Sequence, residues 1–176
     1  MIAETDDDLV TSFCSGEALA ADELVRRHAA ALGRFLYGAG APESDLEDLV
    51  QETFFKAFRA LPGWRREASF KSWLFRIGAN LNRDQFRRRK GRETVPLDDH
   101  DMADGSDPEG ESGAADIERR LLAELDRLPR LQREVFLLRA QQGMEYDQIS
   151  STLGTTPGAA RVHYHHAVKR LKETVQ

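Results

Sequence analysis

The sequence predicts an all-α protein made of two small helical domains that are joined by a flexible acidic linker. On both sides of the chain's middle, apolar residues recur at the i, i+3, i+4 spacing of a helix with one buried face. Residues 93–115 break this pattern, because they are acidic, rich in Gly, Pro and Ser, and nearly without apolar side chains. Such a segment cannot bury enough surface to offset the entropy lost on ordering. We therefore expect domains at residues 1–92 and 116–176, with residues 93–115 as the tether.

The composition is that of an ordinary globular protein. Its 176 residues have room for one average domain or two small ones, and 40% of them are hydrophobic and 31% charged. No apolar run is long enough to cross a bilayer, and the acidic start MIAETDDDLV lacks the apolar region of a secretory signal. We therefore expect a cytoplasmic protein with no direct membrane insertion. The formal net charge of -5 argues weakly against nucleic-acid binding, but the charge is unevenly distributed.

The first part of the chain predicts three helices. A short helix is expected over residues 8–15 and a second from about Ala20 to Tyr37. Ser44, followed three residues later by Glu47, fits a capping box at the start of the third helix. The single cysteine, Cys14, cannot form an internal disulfide, and we interpret it as a small buried hydrophobic residue rather than a redox centre.

The third helix, within SDLEDLVQETFFKAFRAL, has an apolar face and a second face with its own character. The apolar stripe runs from Leu46 to Leu61 at the spacing of a buried face. Phe55 lies opposite, where the stripe does not need a large aromatic ring. Acidic residues and an amide surround it, which suits a protein-docking patch as well as an ordinary exposed face. The candidate docking residues are Asp48, Gln51, Glu52 and Phe55.

Residues 65–92 are strongly basic. Ten Arg and Lys residues stand against two acidic ones in this stretch. A run of charge is often only a solvated helix face. Here, however, aromatic and amide side chains lie among the cations, and such rings can stack on unpaired bases while Arg and Lys bind the backbone. The interleaved residues are Trp73, Phe75, Asn80 and Phe86.

The stretch MEYDQISSTLGTTPGAARVHYHHAVKRLKE predicts a helix-turn-helix. Gly154 occupies the turn, Thr156 is the expected N-cap and Pro157 the first helical residue. The packed face of the second helix is formed by Ala160, Tyr164, Ala167 and Leu171. Its other face would enter a major groove, although any helical hairpin can imitate this pattern. That face carries Arg161, Val162, His165, His166 and Lys169.

These segments, in this order, resemble the extracytoplasmic-function (ECF) sigma factors of the sigma-70 family. FKSWLFRIGAN with its Arg-rich continuation is similar to the family's promoter-melting segment, and DLVQETFFKAFRAL to the helix that binds the beta-prime clamp of RNA polymerase. The resemblance extends from Leu9 to Lys172. It implies a sigma region 2-like helical bundle and a sigma region 4-like helix-turn-helix, without the intervening region three. The implied function is to bind core RNA polymerase, through its beta-prime clamp and beta flap, and to direct promoter-specific transcription initiation.

The resemblance also implies roles for individual residues. Asn80 matches the position that captures a flipped base of the non-template strand, for which an amide offers donors and acceptors; the alternative is an Asn that caps an interrupted helix. Arg161 would read guanine of the minus-thirty-five element, and Val162 would touch a thymine methyl group. The implied minus-ten residues are Trp73, Asn80, Arg83, Arg87, Arg88 and Lys90, of which the cations would hold phosphate. The implied minus-thirty-five residues are Arg161, Val162, His165, His166 and Lys169.

The last helix departs from the family pattern. Ser and Arg usually stand where this chain has Val162 and His163, and Arg is common at the place of His166. Fewer fixed charges would weaken the upstream contact, or make it depend on histidine protonation. A zinc site at His163, His165 and His166 is not expected, because their spacing does not bring them together on a helix and no cysteine is near.

Other classes of function fit only part of the chain. A free-standing helix-turn-helix regulator would explain the C-terminal domain, but it leaves the docking face and the basic stretch without a role. An enzyme is not expected, because the sequence has no phosphate-binding Gly loop, zinc motif or nucleophile with a placed base. We expect no cofactor and no metal. The resemblance implies core RNA polymerase and promoter DNA as partners, with an anti-sigma factor as a further protein partner.

Overall fold

The computed structural model describes residues 3–92 and 113–175. The described residues form helices and turns with no strand, which confirms the all-α prediction. The helices are α1 Asp6–Cys14, α2 Ala18–Gly38, α3 Glu43–Ala60, α4 Phe70–Arg92, α5 Gly113–Arg127, α6 Arg130–Phe136, α7 Tyr146–Leu153 and α8 Pro157–Val175. A 3-10 turn, Leu61–Gly63, follows α3, and α6 continues as a π-helical segment, Leu137–Gln141.

The N-terminal helices α1–α4 pack in sequence order, and α4 also contacts α2. Leu24, Leu32 and Phe35 give α2 a fully buried stripe. The ring of Phe35 lies 5.4 Å from the ring of Phe75 on α4, measured between centroids. This stripe is the apolar pattern visible in the sequence, and its burial fixes which faces of α3 and α4 remain in solvent.

Helix starts were predicted less well than helix existence. The Ser44 capping box is wrong, because α3 begins at Glu43 with Pro42 as its N-cap. Ser44 therefore lies inside the first turn of α3, which has no side-chain cap hydrogen bond. A capping box is present instead at α1, where Thr5 and Asp8 each accept a hydrogen bond from the other's backbone N–H.

The C-terminal helices contain the predicted helix-turn-helix. Gly154 ends α7 in the left-handed region at φ 68°, where a residue with a side chain is strained. The Thr156 hydroxyl accepts from the Ala159 backbone N–H at 3.1 Å, and α8 begins at Pro157, so these predictions are confirmed. The π-helical segment after α6 was not predicted.

The two sets of helices contact one another directly. The Arg133 Nε donates to the Gly38 carbonyl at 2.6 Å, and Gln142 Nε2 donates to the Ala31 carbonyl at 3.2 Å. At the other end of the interface, the buried Thr152 hydroxyl lies 3.3 Å from the carbonyl of Ser72. The packing of α4 against α7 therefore brings the basic stretch and the helix-turn-helix together.

A further sequence expectation needs correction. Cys14 is exposed rather than buried, although it lies one turn after the buried Val10, and it is the last residue of α1. Helix α5 begins at Gly113, so it includes the last three residues of the predicted tether; residues 93–112 lie outside the described part of the chain. Among the described helices, none has the length and apolar content needed to cross a bilayer.

Candidate polymerase and nucleic-acid interfaces

The outer face of α3 exposes every candidate docking residue. Asp48, Gln51 and Glu52 are exposed, and Phe55 keeps 61% of its surface in solvent. The Arg59 guanidinium lies 5.6 Å from the Phe55 ring centroid, within cation–π range. The face opposite the core therefore offers one large ring among carboxylates and an amide, a chemistry suited to a protein partner.

Trp73, at the start of α4, is half-buried in a small aromatic cluster. Its ring is stacked on Trp64 at 4.9 Å between centroids, with a 23° angle between the planes. The same two rings line a cavity of about 440 Å³, together with Arg65, Arg76 and Ser151. An aromatic wall beside two guanidinium groups has the chemistry of a base-binding pocket.

Asn80 lies exposed on an uninterrupted α4. The alternative that Asn80 caps a broken helix is therefore wrong. Phe75 also differs from the expectation, because it is fully buried against Phe35 and cannot stack on a base. Phe86 does remain 51% exposed. The two rings are 11 residues, or about three turns, apart on nearly the same face of α4. Phe75 lies where α4 packs on α2, whereas Phe86 lies nearer the end of α4 and lines the cleft beside α6.

Arg83 is held by the C-terminal helices. Its Nη2 donates to a carboxylate oxygen of Glu134 on α6 at 3.1 Å. The Glu134 side chain is only 3% exposed, and it also accepts from Arg130 at 3.3 Å. The Nε of Arg83 is buried without a hydrogen-bond partner. In this arrangement, the Arg83 guanidinium is paired with Glu134, whereas the sequence analysis assigned it to promoter phosphate.

The remaining cations at the end of α4 are accessible. Arg87, Arg88 and Lys90 are exposed, and the Lys90 ammonium lies 5.2 Å from the Phe86 ring centroid. A cleft of about 750 Å³ separates this part of α4 from α6. Its α4 wall includes Arg83, Phe86, Arg87 and Lys90, and its α6 wall includes Arg130, Arg133 and Glu134.

The outer face of α8 is exposed at every candidate position. These residues are Arg161, Val162, His165, His166 and Lys169. The Arg161 guanidinium lies 5.0 Å from the centroid of the Tyr146 ring, and Val162 is 52% exposed. The neighbouring His163 is half-buried, with a ring Nδ1 that has no hydrogen-bond partner. The histidines therefore do not share one face, as their spacing predicted.

Sequence reasoning missed two residues that contact its candidates. Glu134 was not among the sequence candidates, and nothing local indicated that it is buried against Arg83 from another helix. Tyr146 was not among the sequence candidates either. Nothing near it in the sequence indicates its contact with Arg161, which comes from α8.

Comparison with known proteins identifies the family. Residues 24–92 match the model for Sigma-70 region 2, and residues 118–171 match the model for Sigma-70, region 4. The RNA polymerase sigma factor NccH of Alcaligenes xylosoxydans xylosoxydans is 32% identical over 176 residues, which cover 97% of this chain and 95% of NccH. The ECF RNA polymerase sigma factor SigM of Mycobacterium tuberculosis is 30% identical, over 95% of this chain and 83% of SigM. The chain belongs to the ECF group of the sigma-70 family.

Comparison with solved structures agrees with the sequence comparisons. A solved structure of CnrH in complex with the cytosolic domain of CnrY superposes on this sigma factor with a TM-score of 0.76 and 29% identity. The superposition covers 98% of this chain and 97% of CnrH. This sigma factor therefore directs RNA polymerase to promoters, as the sequence predicted. A regulator that works without polymerase would leave the region 2 match unexplained.

No metal-binding group was found in the part of the chain that the structure describes. Nowhere in residues 3–92 and 113–175 do three His, Cys, Asp or Glu side chains come close enough to hold a metal ion.

Proposed function

We propose that this sigma factor divides promoter recognition between two domains. Residues 1–92 bind core RNA polymerase and open the minus-ten element, residues 116–176 read the minus-thirty-five element, and residues 93–115 join them. The polymerase contact is made by Asp48, Gln51, Glu52 and Phe55, which meet the beta-prime clamp. The second domain also meets the beta flap.

The DNA contacts follow the chemistry of the candidate side chains. In the first domain, Trp73 and Asn80 border the melted base, and phosphate is held by Arg83, Arg87, Arg88 and Lys90. In the second domain, Arg161 binds a guanine edge and Val162 a thymine methyl group. His165, His166 and Lys169 line the same face of α8 and approach the duplex beside them.

One observation carries the polymerase assignment. Phe55 exposes 61% of its surface on the face of α3 that the core leaves free, and polar residues surround it. A large exposed ring with a polar rim is the composition of an interface hot spot. We therefore expect Phe55 to be the anchor of the contact with core enzyme.

Replacing Phe55 tests this contact. Phe55→Ala should weaken binding to core RNA polymerase about thirtyfold or more, since hot-spot truncations cost about 2 kcal/mol or more. The measurement is a titration of labelled sigma factor with core enzyme. Tyr37→Ala is the control, because Tyr37 is also an exposed aromatic, 42% in solvent, at the end of α2. Equal affinities for wild type and Phe55→Ala would contradict the assignment.

We further propose that this sigma factor acts in the cytoplasm, that it catalyses no reaction itself, and that an anti-sigma factor restrains it. Catalysis of RNA synthesis belongs to the polymerase. The anti-sigma partner is supported by the similarity to CnrH, which was solved with the cytosolic domain of CnrY bound. Copurification from the native host would test this partner. A protein should be found bound to the free sigma factor and be absent from the sigma factor that is bound to core RNA polymerase.

A further inference from the structure

We infer that Tyr146 is a positioning residue that aims Arg161 at the minus-thirty-five element. This inference rests on the proposed role of Arg161 and adds the group that orients it. The Arg161 guanidinium lies over the Tyr146 ring, with 5.0 Å between its central carbon and the ring centroid. Because Tyr146 opens α7 and Arg161 lies in the second turn of α8, the contact crosses the turn of the helix-turn-helix.

The Tyr146 ring is itself fixed by packing. It meets the Tyr164 ring edge-on, with 6.3 Å between centroids and 66° between planes. Tyr164 in turn stacks on Phe136 of α6 at 6.0 Å. A second guanidinium, that of Arg139, lies 4.7 Å from the Tyr146 centroid and donates to the Met144 carbonyl at 3.0 Å. A ring held on several sides is a rigid platform rather than a mobile neighbour.

Arg161 depends on this platform for its orientation. The side chain is exposed, and among the described residues it makes no ion pair. An unrestrained arginine loses rotamer freedom when it binds, which lowers affinity. The attraction between a guanidinium and a tyrosine ring restricts those rotamers before binding, and it leaves the N–H donors at the edge of the group free. Those donors are the ones that form a bidentate contact with guanine.

The consequence concerns specificity more than affinity. Phosphate contacts give binding that is independent of sequence, so their loss weakens all duplexes equally. A misaligned Arg161 would weaken only the duplex with guanine at the contacted position, because only there is the bidentate geometry required. Tyr146 should therefore affect the ratio of affinities for preferred and substituted duplexes.

The experiment uses holoenzyme reconstituted from the full-length sigma factor and core polymerase. Duplexes with a randomised upstream element are selected on the wild type, and the preferred and guanine-substituted sequences are then compared by competition. Arg161→Ala should abolish the preference at one guanine. Tyr146→Leu should reduce that preference about three- to tenfold, while Tyr146→Phe should keep most of it. Tyr146→Leu combined with Arg161→Ala should behave as Arg161→Ala alone.

A second substitution separates orientation from packing. Tyr146→pentafluorophenylalanine keeps the shape of the Phe ring but reverses its quadrupole, so it should lose the guanine preference that Tyr146→Phe retains. An unchanged preference in both Tyr146→Leu and the fluorinated variant would overturn the inference. So would a further loss when Tyr146→Leu is added to Arg161→Ala. If Arg161→Ala itself keeps the preference, the proposed role of Arg161 fails instead.

Discussion

Protonation of His28 is coupled to folding through the surroundings of its ring. It is buried in α2, and its Nε2 lies 2.7 Å from a carboxylate oxygen of Asp6 on α1. Its ring also packs 5.5 Å from the ring of Phe70. Burial lowers the pKa of His28 from its ordinary value of 6.5, and Arg27 and Lys71 act in the same direction. The Asp6 carboxylate opposes them, but burial is the larger effect.

The stability of the fold should therefore decrease on mild acidification. Because the unfolded chain binds a proton at His28 more readily than the folded chain, the contribution of neutral His28 is complete above pH 6.5 and is lost as pH falls through the lowered folded pKa. We expect the free energy of unfolding, from urea titrations, to fall between pH 7.5 and pH 5.5, and to fall less in His28→Gln.

The control for this prediction is a histidine on the surface. His165→Gln removes an exposed imidazole from α8 and should keep the wild-type pH dependence. Stability that rises towards pH 5.5, and no longer rises in His28→Gln, would mean that the Asp6 carboxylate outweighs burial and that folding raises the pKa of His28 instead of lowering it.

At the scale of the helix, α4 contains two glycines whose surroundings differ. A Cβ built on Gly78 lies 3.0 Å from Leu32 Cδ1 and 3.4 Å from Thr53 Cγ2. Leu32 and Thr53 are fully buried, so neither has room to withdraw. A Cβ on Gly91, in contrast, meets no atom within 4 Å. Gly78 is therefore the close-contact point at which α4 packs on α2 and α3.

The same substitution should have opposite effects at these two positions. Alanine favours a helix over glycine by up to about 1 kcal/mol. Gly91→Ala should raise the free energy of unfolding by about 0.5 kcal/mol, since it lies near the end of α4. Gly78→Ala should lower it by about 1 to 3 kcal/mol, because overpacking a sealed core outweighs the helical preference. Thermal and urea unfolding would measure both, and a stabilised Gly78→Ala would contradict the close packing.

The bounds and exposed faces of individual helices were the features best predicted from the sequence. The bounds of α4 and the start of α8 follow from apolar spacing and from Thr156 and Pro157, because these signals are local. The exposed candidates on α3 and α8 also follow from helical phase, since a stripe that is buried defines the face that is not. Phase could not separate Phe75 from Phe86, because residues 11 apart lie on nearly the same helix face, and their position along α4 decides which ring is buried.

Contacts between distant helices could not be predicted. Nothing near Arg83 in the sequence indicates that its partner is Glu134, 51 residues away, and nothing near Tyr146 indicates a guanidinium from α8. Such pairs depend on how helices pack, which a single sequence does not specify. For the same reason, the direct packing of α4 on α7 was not predicted, whereas the tether over residues 93–115 stays a prediction from composition.

At the scale of the whole molecule, the interface between the two sets of helices contains a buried carboxylate. Glu134 forms ion pairs with Arg83 of α4 and with Arg130 of its own helix. An ion with so little exposure is tolerated only while it is paired. A promoter phosphate at Arg83 would compete with Glu134 for the same guanidinium. Binding of DNA at this position and the Arg83–Glu134 contact between α4 and α6 therefore oppose one another.

Neutralising Glu134 should loosen this interface. Glu134→Gln keeps the shape but removes the charge that pairs with Arg83, so the contact should weaken by about 1 to 3 kcal/mol. Amide hydrogen exchange reports it locally: exchange should accelerate in α7 and the start of α4, by about tenfold for each 1.4 kcal/mol, and stay unchanged in α1, which packs on α2 away from this interface. Glu124→Gln is the matched control, because Glu124 pairs with Arg127 and Thr174 within the C-terminal helices. If Glu134→Gln exchanges like wild type at α7, then apolar packing such as that of Leu137 on Gly38 holds the interface without the ion pair, and Arg83 is free to bind phosphate without separating the helices.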